Sequence, residues 1–422
     1  MASQIPGFYK MNLEERLNEL KKNSELSEEE IQLLKQNINA LGFDLANRMI
    51  ENAISCFSLP LGIVTNFKIN GKERLIPFAT EEPSVIAAAS KAAKLAFDSG
   101  GFEAKASEQI MIGQVQLVGV KNFPKAKKAI LKNKKQLLEL ANAQDKTLVQ
   151  FGGGAKNIEA REIKGKQKFL VVHLLVDARD AMGANAVNTM CEAIAHSLEE
   201  LSGGEARLRI LTNLALNRVV KAKAVWKKEA IGKENVDRIL QAYYFADADV
   251  YRAVTNNKGI MNGIDAVVIA TGNDFRATEA ACHAYASLSG KYKPLAKYSK
   301  NKNGDLVGEI EIPLAVGIVG GATRTHPLAK ICLKLMKVNS AKELSEIIAC
   351  VGLAQNFAAI YALSTEGIQK GHMKLHSKNI AVLGGAKDNE IEIIADKMVK
   401  EGNIKADRAK EILAELRKNK NT

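Results

Sequence analysis

Strand-like and helix-like patterns alternate in the middle third of the chain, in an order that strongly constrains its fold. A strand-like run at residues 109–120 precedes an amphipathic helical pattern at 124–143, which has a proline in its first turn. Two more strand-like runs, at 158–163 and Lys168–Asp177, flank Gly165 and predict a β-hairpin. The first half of this region therefore predicts one strand, one helix and a hairpin.

A second helix and a last strand complete the region. Residues 184–201 have the periodicity of a helix, which two glycines end, and residues 206–211 again predict a strand. The full order, β-α-β-β-α-β, is that of a ferredoxin-like domain of about a hundred residues. We therefore expect an α+β protein. The predicted domains are a large, mainly helical one formed by residues 1–108 and 214–370, a small ferredoxin-like one at 109–213, and a mobile C-terminal helical flap at 371–422.

Helical patterns dominate the sequence on both sides of this region. Helices are expected within residues 12–55, 84–98, 234–246 and 328–363, and in two charged segments near the C-terminus. The 84–98 segment is rich in alanine and predicts a helix that packs closely in a core. Two short apolar runs, at 266–270 and 380–383, predict strands.

Composition is typical of a globular protein. The chain has 422 residues, of which 46% are apolar and 25% charged, and it can bury a sizeable core. The longest apolar run, at 169–176, is far too short to cross a bilayer, and the N-terminus shows no signal-peptide pattern. The five cysteines are dispersed, which favours reduced thiols. We expect a cytoplasmic protein that does not associate with membranes.

A net charge of +13 raises the question of a nucleic-acid partner. The densest lysine cluster, at 125–135, lies on a predicted helix without zinc-finger spacing or interleaved aromatic residues, and only 5% of the residues are aromatic. We interpret the charge as a solvated surface that can also steer a polyanionic substrate. A basic nucleic-acid-binding protein is the alternative.

Common nucleotide and metal motifs are missing from the sequence. No G-x-G-x-x-G follows a strand-like run, and neither a P-loop nor H-E-x-x-H occurs. His372 and His376 are four residues apart and could share a helix face. A zinc site needs a third ligand, and no candidate lies near them in sequence. We expect no metal site.

Several segments are rich in small and polar residues where a core would need apolar ones. They are T-E-E-P-S at residues 80–84, D-A-M-G-A-N at 180–185, N-N-K-G-I-M-N-G at 256–263, T-G-N-D at 271–274 and G-H-M at 371–373. Taken singly, each is more typical of a solvated loop than of a functional site.

Together, these segments resemble the hydroxymethylglutaryl-coenzyme A reductase family, in the soluble class common in bacteria and archaea. The resemblance extends over nearly the whole chain. Further matching motifs are E-N at 51–52, F-S-L-P at 57–60, V-N-T-M at 187–190, G-L-A-Q-N at 352–356 and E-G-I-Q at 366–369. The pair Ser55-Cys56 departs from the family pattern, which has glycine and a small polar residue there, and this departure affects packing more than chemistry.

The resemblance implies a reversible reduction of (S)-hydroxymethylglutaryl-CoA, through mevaldehyde, to (R)-mevalonate and coenzyme A, with two hydride transfers. It assigns Lys258 as the oxyanion stabiliser, Glu82 as a proton donor, Asp274 as their network partner and His372 as the proton donor to the coenzyme A thiolate. Each hydride transfer puts negative charge on an oxygen, which an ammonium group stabilises. An imidazole can protonate a thiolate near neutral pH. A different nicotinamide or coenzyme A enzyme on the same scaffold is the alternative, but all four residues are present.

The resemblance also implies residues that bind substrate and cofactor. The substrate carboxylate and hydroxyls are assigned to Ser84, Asn213, Arg252 and Asn262, and the cofactor to Asp145, Asp180, Met182, Gly183 and Asn185. Arg252 has independent support, because a guanidinium clamps a carboxylate bidentately, although a surface arginine is the simpler interpretation. Gly183 would permit close backbone approach at a helix N-terminus that favours a pyrophosphate.

Cofactor choice and assembly follow from the same resemblance. Asp145 lies where family members that prefer NAD place an acid, which repels a 2′-phosphate, so NAD(H) is expected. Lys146 directly follows and could accept that phosphate, so NADP(H) is the alternative. The family forms homodimers with active sites at the subunit interface, and hexamers are the further assembly expected. The coenzyme A thioester is the expected partner, and no nucleic acid is expected.

Overall fold

A computed structural model describes residues 2–36, 41–365 and 367–419, with the backbone alone for 368–375 and 419. The helices are α1 (Leu13–Asn23), α2 (Glu28–Gln36), α3 (Phe43–Met49), α4 (Val85–Phe97), α5 (Phe123–Lys132), α6 (Lys134–Asn142), α7 (Lys146–Gln150), α8 (Ala184–Ser202), α9 (Lys228–Ile231), α10 (Lys233–Ala248), α11 (Val250–Ala270), α12 (Phe275–Ala286), α13 (Gly321–Thr325), α14 (Pro327–Met336), α15 (Ala341–Ser364), α16 (Ile368–Leu383), α17 (Asn389–Glu401) and α18 (Ala406–Asn419). The strands are β1 (Leu61–Ile69), β2 (Lys72–Ala79), β3 (Phe102–Ala106), β4 (Ile110–Val118), β5 (Gly154–Lys164), β6 (Lys168–Asp177), β7 (Glu205–Thr212), β8 (Val219–Trp226), β9 (Ala296–Lys300) and β10 (Leu306–Pro313).

The smaller sheet has the strand order β5-β6-β4-β7, and every neighbouring pair is antiparallel. The predicted hairpin is present, because β5 and β6 pair from Gly154 with Asp177 to Lys164 with Lys168. The first strand of the region thus lies between its third and its last, as in a ferredoxin-like sheet. The predicted α+β fold with a ferredoxin-like unit is confirmed.

The helices of this unit pack on one side of its sheet and enclose a hydrophobic cluster of their own. A Cβ atom at Gly113 of β4 would lie 2.2 Å from the Cys191 sulfur of α8, so the helix approaches the sheet closely. The helix predicted at 124–143 is two helices, α5 and α6, which meet at Asn133. The Asn133 amide donates to the Ala129 carbonyl at 2.9 Å, a local bond of the kind with which asparagine competes against helix continuation.

The region expected to be mainly helical also contains a six-stranded sheet, with the order β2-β1-β3-β8-β10-β9. Its core is large and aromatic: Trp226 of β8 is fully buried and stacks on Phe357 of α15, with ring centroids 3.9 Å apart. The Trp226 indole N–H donates to the Ala92 carbonyl of α4 at 3.1 Å. The middles of β3 and β8 alternate alanine with charged residues, and alanine, lysine and glutamate are depleted in strands, which weakens a strand prediction there.

Two long helices, α11 and α15, cross in the middle of the larger unit. A Cβ atom at Gly352 of α15 would lie 2.9 Å from the Ile264 side chain of α11, so the glycine allows the two backbones to approach. By length and composition alone α15 could cross a membrane, but 67% of its most apolar stretch is buried inside the fold. Burial of this kind is typical of a core helix.

Two predicted strands are wrong. Residues 266–270 form the last turn of α11, and residues 380–383 form the end of α16. A short apolar run cannot by its own pattern distinguish a buried strand from a buried helix. In α11 both the residues before this run and the run itself are buried, so the polar face that marks an amphipathic helix is reduced.

The last three helices, α16 to α18, enclose a small hydrophobic cluster that includes Ala381, Met398 and Ile412. The predicted boundary at 371 lies inside α16, which begins at Ile368 and continues through this position. The ferredoxin-like unit, the larger unit and these helices have separate hydrophobic clusters. The division into three domains, its boundaries and the mobile flap stay predictions.

Candidate active site

Two charged side chains from distant parts of the chain meet beside the middle of α11. The Lys258 ammonium donates to the Glu82 carboxylate at 2.8 Å, although the residues are 176 positions apart. Glu82 lies in the loop from β2 to α4, and Lys258 lies in the middle of α11. Their side chains are 35% and 62% exposed, so a bound molecule can reach both groups.

Two buried asparagines fix the part of α11 that carries Lys258. The Asn257 amide donates to the Lys293 carbonyl at 2.9 Å and accepts from the Leu295 N–H at 2.9 Å. Asn256 accepts from the Asn356 amide of α15 at 3.0 Å. Asparagine is a weak helix former, but these side chains satisfy backbone and amide groups of other segments within the core. Lys258 therefore projects from a helix that is fixed on both sides.

The residues predicted to bind the substrate are divided between three places. Arg252 and Asn262 lie on α11, and Asn262 is one helical turn beyond Lys258, on the same face. Ser84 is the N-cap residue of α4, two residues after Glu82. Its φ is 73°, a backbone conformation that residues other than glycine rarely adopt. Asn213 is exposed just after β7.

Arg252 has the surroundings expected of an anion-binding residue. Its side chain is half-buried, and burial lowers the pKa of its guanidinium. In the part of the chain that the structure describes, no carboxylate forms an ion pair with it. A substrate carboxylate would satisfy this cation.

Asp274 is the N-cap residue of α12 and lies four residues after the end of α11. Its carboxylate accepts from the Ala277 N–H at 3.0 Å, and its second oxygen lies 3.4 Å from the Arg276 guanidinium. Among the described residues, no hydrogen bond joins Asp274 to Lys258 or Glu82. One copy of the chain therefore brings Glu82 and Lys258 together but does not add Asp274 to the pair.

The predicted cofactor turn, D-A-M-G-A-N, connects β6 to α8. Gly183 has a φ of 99°, and a Cβ atom there would lie 2.6 Å from the Ala178 side chain, so only glycine fits. Asn185 is exposed in the first turn of this 19-residue helix. The Asp180 carboxylate accepts from the Ala341 N–H at 2.8 Å and so also has a structural partner at the start of α15. The Met182 side chain is half-buried.

Asp145 begins the short helix α7, where its carboxylate accepts from the Leu148 N–H at 2.8 Å. This cap uses one carboxylate oxygen. The chain after α7 lies next to the cofactor turn, because the Arg179 guanidinium donates to the Gly152 carbonyl at 2.6 Å. The structure thus places the chain just after α7 beside Arg179, the residue that precedes the predicted cofactor turn.

A groove of about 1080 Å³ lies elsewhere, on the sheet face formed by β3, β8 and β10. None of the predicted site residues lines it. Pairs such as Lys221 with Glu311, whose charged atoms are 2.7 Å apart, cross this face. Alternating lysine and glutamate are typical of a solvated sheet face, so we do not regard the groove as the active site.

Comparison with known proteins agrees with the motifs. The family model for hydroxymethylglutaryl-coenzyme A reductase matches residues 12–377. A 3-hydroxy-3-methylglutaryl-coenzyme A reductase of Archaeoglobus fulgidus is 54% identical over 419 residues, which are 99% of this chain and 95% of that protein. The chain belongs to the hydroxymethylglutaryl-coenzyme A reductase family.

Solved structures of the same family support the fold. A 3-hydroxy-3-methylglutaryl-coenzyme A reductase from Streptococcus pneumoniae is 41% identical, with a TM-score of 0.83 over 97% of this chain and 99% of that one. A class II reductase from the same organism, bound to NADPH in open conformations, is 42% identical, with a TM-score of 0.82 over 85% of this chain and 99% of that one. An oxidoreductase acting on hydroxymethylglutaryl-CoA with a nicotinamide nucleotide is the function that these relatives support.

The histidine that the family pattern assigns to catalysis is His372. Its backbone is part of α16, but its side chain lies outside the described residues. Within the described part of the chain, no group of three or more histidine, cysteine, aspartate or glutamate side chains is placed to hold a metal ion.

A cluster of partly buried titratable groups near the C-terminal end of α11 was not predicted. Asp265 lies two turns after Lys258 on the same face of α11, and burial, together with Glu279, raises the pKa of its carboxyl to about 8. Glu279 lies 2.6 Å from the His283 imidazole, which in turn lies 2.6 Å from the Tyr292 hydroxyl. The helical spacing from Lys258 to Asp265 was the available signal, but the same spacing also fits a solvated acid.

Asp265 should make the stability of this reductase depend on pH. Its pKa in the folded protein is about 8, against an ordinary 3.8, so the folded state holds a proton that the unfolded state releases. The contribution is fully present below pH 3.8 and is lost progressively as the pH rises to about 8. We expect the Tm of the wild type to fall by several degrees across this window, and that of Asp265→Asn to fall less. Thermal unfolding across the window, followed by circular dichroism, measures both.

The control is Asp407→Asn, because the Asp407 side chain is 93% exposed and should not influence the profile. Parallel pH profiles for the wild type and Asp265→Asn would contradict the assignment.

Proposed function

We propose that the protein interconverts (S)-hydroxymethylglutaryl-CoA and (R)-mevalonate plus coenzyme A, through mevaldehyde, with two equivalents of a nicotinamide cofactor. The observation that supports this proposal best is the contact between Lys258 and Glu82, 2.8 Å long, in a chain of this family. The pair places a cation and a carboxyl group where one substrate oxygen can contact both. The same groups serve both directions of the reaction.

Each residue of the pair has a role that follows from its charge. When bound, the cofactor supplies hydride to the thioester carbon and then to the aldehyde carbon. Lys258 stabilises the negative charge that each transfer leaves on the oxygen. After the first transfer the oxyanion returns to a carbonyl as the thiolate leaves, and after the second Glu82 protonates the alkoxide to give mevalonate. Asp274 is the third member of this network, as the partner of Lys258 and Glu82. Ser84, Asn213, Arg252 and Asn262 hold the substrate carboxylate and hydroxyls.

Replacing the lysine tests its role. Lys258→Ala should lower kcat by at least roughly 10²- to 10³-fold, because it removes the charge that meets the developing oxyanion. Binding of hydroxymethylglutaryl-CoA should change little, since that charge develops mainly in the transition state. Nicotinamide absorbance gives kcat, and isothermal titration gives the affinity for the thioester.

Lys221→Ala is the matched control, because Lys221 forms a similar pair with Glu311, at 2.7 Å, on the solvated sheet face. Near-normal turnover of folded Lys258→Ala would refute the proposed role.

The start of α8 fits a nicotinamide dinucleotide. Gly183, with a φ of 99°, lets the chain turn tightly into α8, and α8 is long enough to have a substantial dipole at its N-terminus. The residues that would hold the cofactor are Asp145, Asp180, Met182, Gly183 and Asn185. The related Streptococcus pneumoniae reductase binds NADPH. We nevertheless propose that this chain prefers NAD(H), because the acid at 145 would repel a 2′-phosphate.

The variant Asp145→Asn isolates the charge from the cap. Asparagine can still accept from the Leu148 N–H, so α7 keeps its cap while the negative charge is lost. The kcat/KM for NADPH relative to NADH should rise by roughly five- to tenfold, as expected from removing a charge about 4 Å from a phosphate. Steady-state rates with each cofactor give this ratio.

Glu139→Gln, an exposed acid on α6 of the same unit, is the control and should leave the ratio unchanged. An unchanged ratio in Asp145→Asn would show that another residue selects the cofactor.

We further propose that His372 protonates the coenzyme A thiolate, which leaves only after the first hydride transfer. Free mevaldehyde carries no thioester, so its reduction needs no such proton. His372→Gln should therefore slow reduction of hydroxymethylglutaryl-CoA at least roughly tenfold more than reduction of mevaldehyde. The control is His376→Gln, an exposed histidine one turn later on α16. Equal losses on both substrates would exclude this role.

A homodimer with active sites at its interface is also proposed. The segment between α3 and β1 contains the matching motifs at 51–52 and 57–60, yet Ile54 and Phe57 are each 95% exposed in a single chain. Large apolar side chains exposed together are typical of a protein interface. A second copy covering this segment would bury them. The further assembly of dimers into hexamers stays a prediction.

We place the enzyme in the cytoplasm. Cys191, Cys282, Cys332 and Cys350 are buried free thiols, and burial raises the pKa of each. Such thiols suit a reducing compartment. The proposed partner is the coenzyme A thioester, with neither nucleic acid nor a membrane.

A further inference from the structure

Arg218 is a charged residue that is almost completely buried, with only 1% of its surface exposed. It lies directly before β8, where the chain leaves the ferredoxin-like unit and enters the six-stranded sheet. Burial lowers the pKa of Arg218 to about 10, and the nearby carboxylates of Asp177 and Asp180 oppose this shift. The guanidinium is therefore charged at neutral pH. Burying a charge costs free energy unless each of its hydrogen-bond donors has an acceptor. The contacts of Arg218 must therefore supply those acceptors.

The Arg218 guanidinium holds the predicted cofactor turn by its backbone. One terminal nitrogen donates to the carbonyls of Ala181 and Met182, at 3.1 and 3.0 Å. The Nε atom donates to the Gln109 side chain at 2.8 Å, at the other crossing between the two units. The second terminal nitrogen donates to the carbonyl of Val316. The planar fork of arginine is suited to joining acceptors that lie in different directions.

The segment that contains Val316 also contacts the loop between α11 and α12, which carries Asp274. The Asn273 side chain donates to the Gly317 carbonyl at 3.0 Å and accepts from the Gly317 N–H at 2.7 Å. Asn273 directly precedes Asp274. On its other side, a Cβ atom at Gly317 would lie 2.6 Å from the Met182 nitrogen, so the two backbones are in close contact.

We propose, on the basis of the function proposed above, that Arg218 is a positioning residue that holds the cofactor turn in register with the loop carrying Asp274. Its hydrogen bonds join residues 181–182 to residue 316, and Asn273 joins residue 317 to Asp274. The turn carries Gly183, where the cofactor would approach the backbone most closely. A shift of this turn would move the nicotinamide relative to the substrate without altering any group that touches either one.

Arg218→Lys tests this role because it keeps the charge but removes the fork. A single ammonium cannot reach the Gln109 side chain, the Met182 carbonyl and the Val316 carbonyl together. We expect the KM for the nicotinamide cofactor to rise at least roughly tenfold and kcat to fall roughly 10- to 100-fold, as misplacement of a reactant does. The KM for hydroxymethylglutaryl-CoA should stay within about twofold, because the substrate residues are not touched.

The control separates positioning from loss of stability. Leu137→Ala removes a side chain that is 1% exposed in the core of the same unit, so it should lower the Tm without changing the cofactor KM. All rates are measured below the unfolding range of both variants. If Arg218→Lys lowers the Tm and leaves both KM values unchanged, or raises both equally, the positioning role is overturned.

A second variant covers the case in which Arg218→Lys does not fold. Gln109→Met removes one acceptor and leaves the arginine with its bonds to Ala181, Met182 and Val316, so the cofactor KM should rise by a smaller factor in the same direction. An unchanged cofactor KM in a folded Gln109→Met would overturn the proposal. Wild-type protein that does not oxidise reduced nicotinamide with hydroxymethylglutaryl-CoA would refute the proposed function, and with it this role. Turnover by the wild type together with unaffected variants would refute the role of Arg218 alone.

Discussion

The position of Lys258 depends on the two buried asparagines that directly precede it. An ion pair as exposed as that between Lys258 and Glu82 contributes only about 0–1 kcal/mol to stability, so it cannot by itself hold α11 in place. Asn257 does so by bonding to the backbone at Lys293 and Leu295, and Asn256 by bonding to Asn356 of α15. The pair can then be broken and rebuilt around a substrate oxygen while the helix remains fixed.

The two units of the fold share one segment of chain, residues 314–319, between β10 and α13. On one side it contacts the turn before α8, where the Ile318 N–H donates to the Asp180 carbonyl at 2.8 Å. On the other side it contacts Asn273, at the end of the loop after α11. Because protein interiors are close-packed, a displacement of this segment is felt by both neighbours. A displacement of the predicted cofactor turn should therefore also displace the loop that carries Asp274.

The ferredoxin-like unit was predictable because its strands are apolar and its turns contain glycine. The larger sheet was not, since β3 and β8 have helix-favouring alanine in the middle of the strand and are held as strands by pairing with each other and with β1 and β10. The runs at 266–270 and 380–383 failed for the opposite reason. Their apolar residues favour a strand locally, and the helices that contain them are determined by longer segments and by packing.

At the candidate site, some residues were predicted because they lie in family motifs, and others were missed. Glu82 and Lys258 were assigned through the resemblance of their small, polar segments to the family, and the structure joins them. Arg218 and Asp265 were not predicted, because a buried arginine and a buried aspartate have the same sequence signature as solvated ones. Only their partners distinguish them, and those partners are backbone carbonyls and an acid on a neighbouring helix.

The proposed dimer offers one explanation for both the separation of Asp274 from the pair and the exposure of Ile54 and Phe57. In one copy of the chain the Asp274 carboxylate caps α12, and the apolar side chains of the segment before β1 project into solvent. A solitary chain would leave the proposed catalytic network incomplete and a hydrophobic surface uncovered. The proposed dimer accounts for both, because a single interface can bury the apolar segment while it brings charged groups of two copies to one substrate. Catalysis would then require association, and the geometry of the site would be specified partly by a surface that a single copy cannot bury.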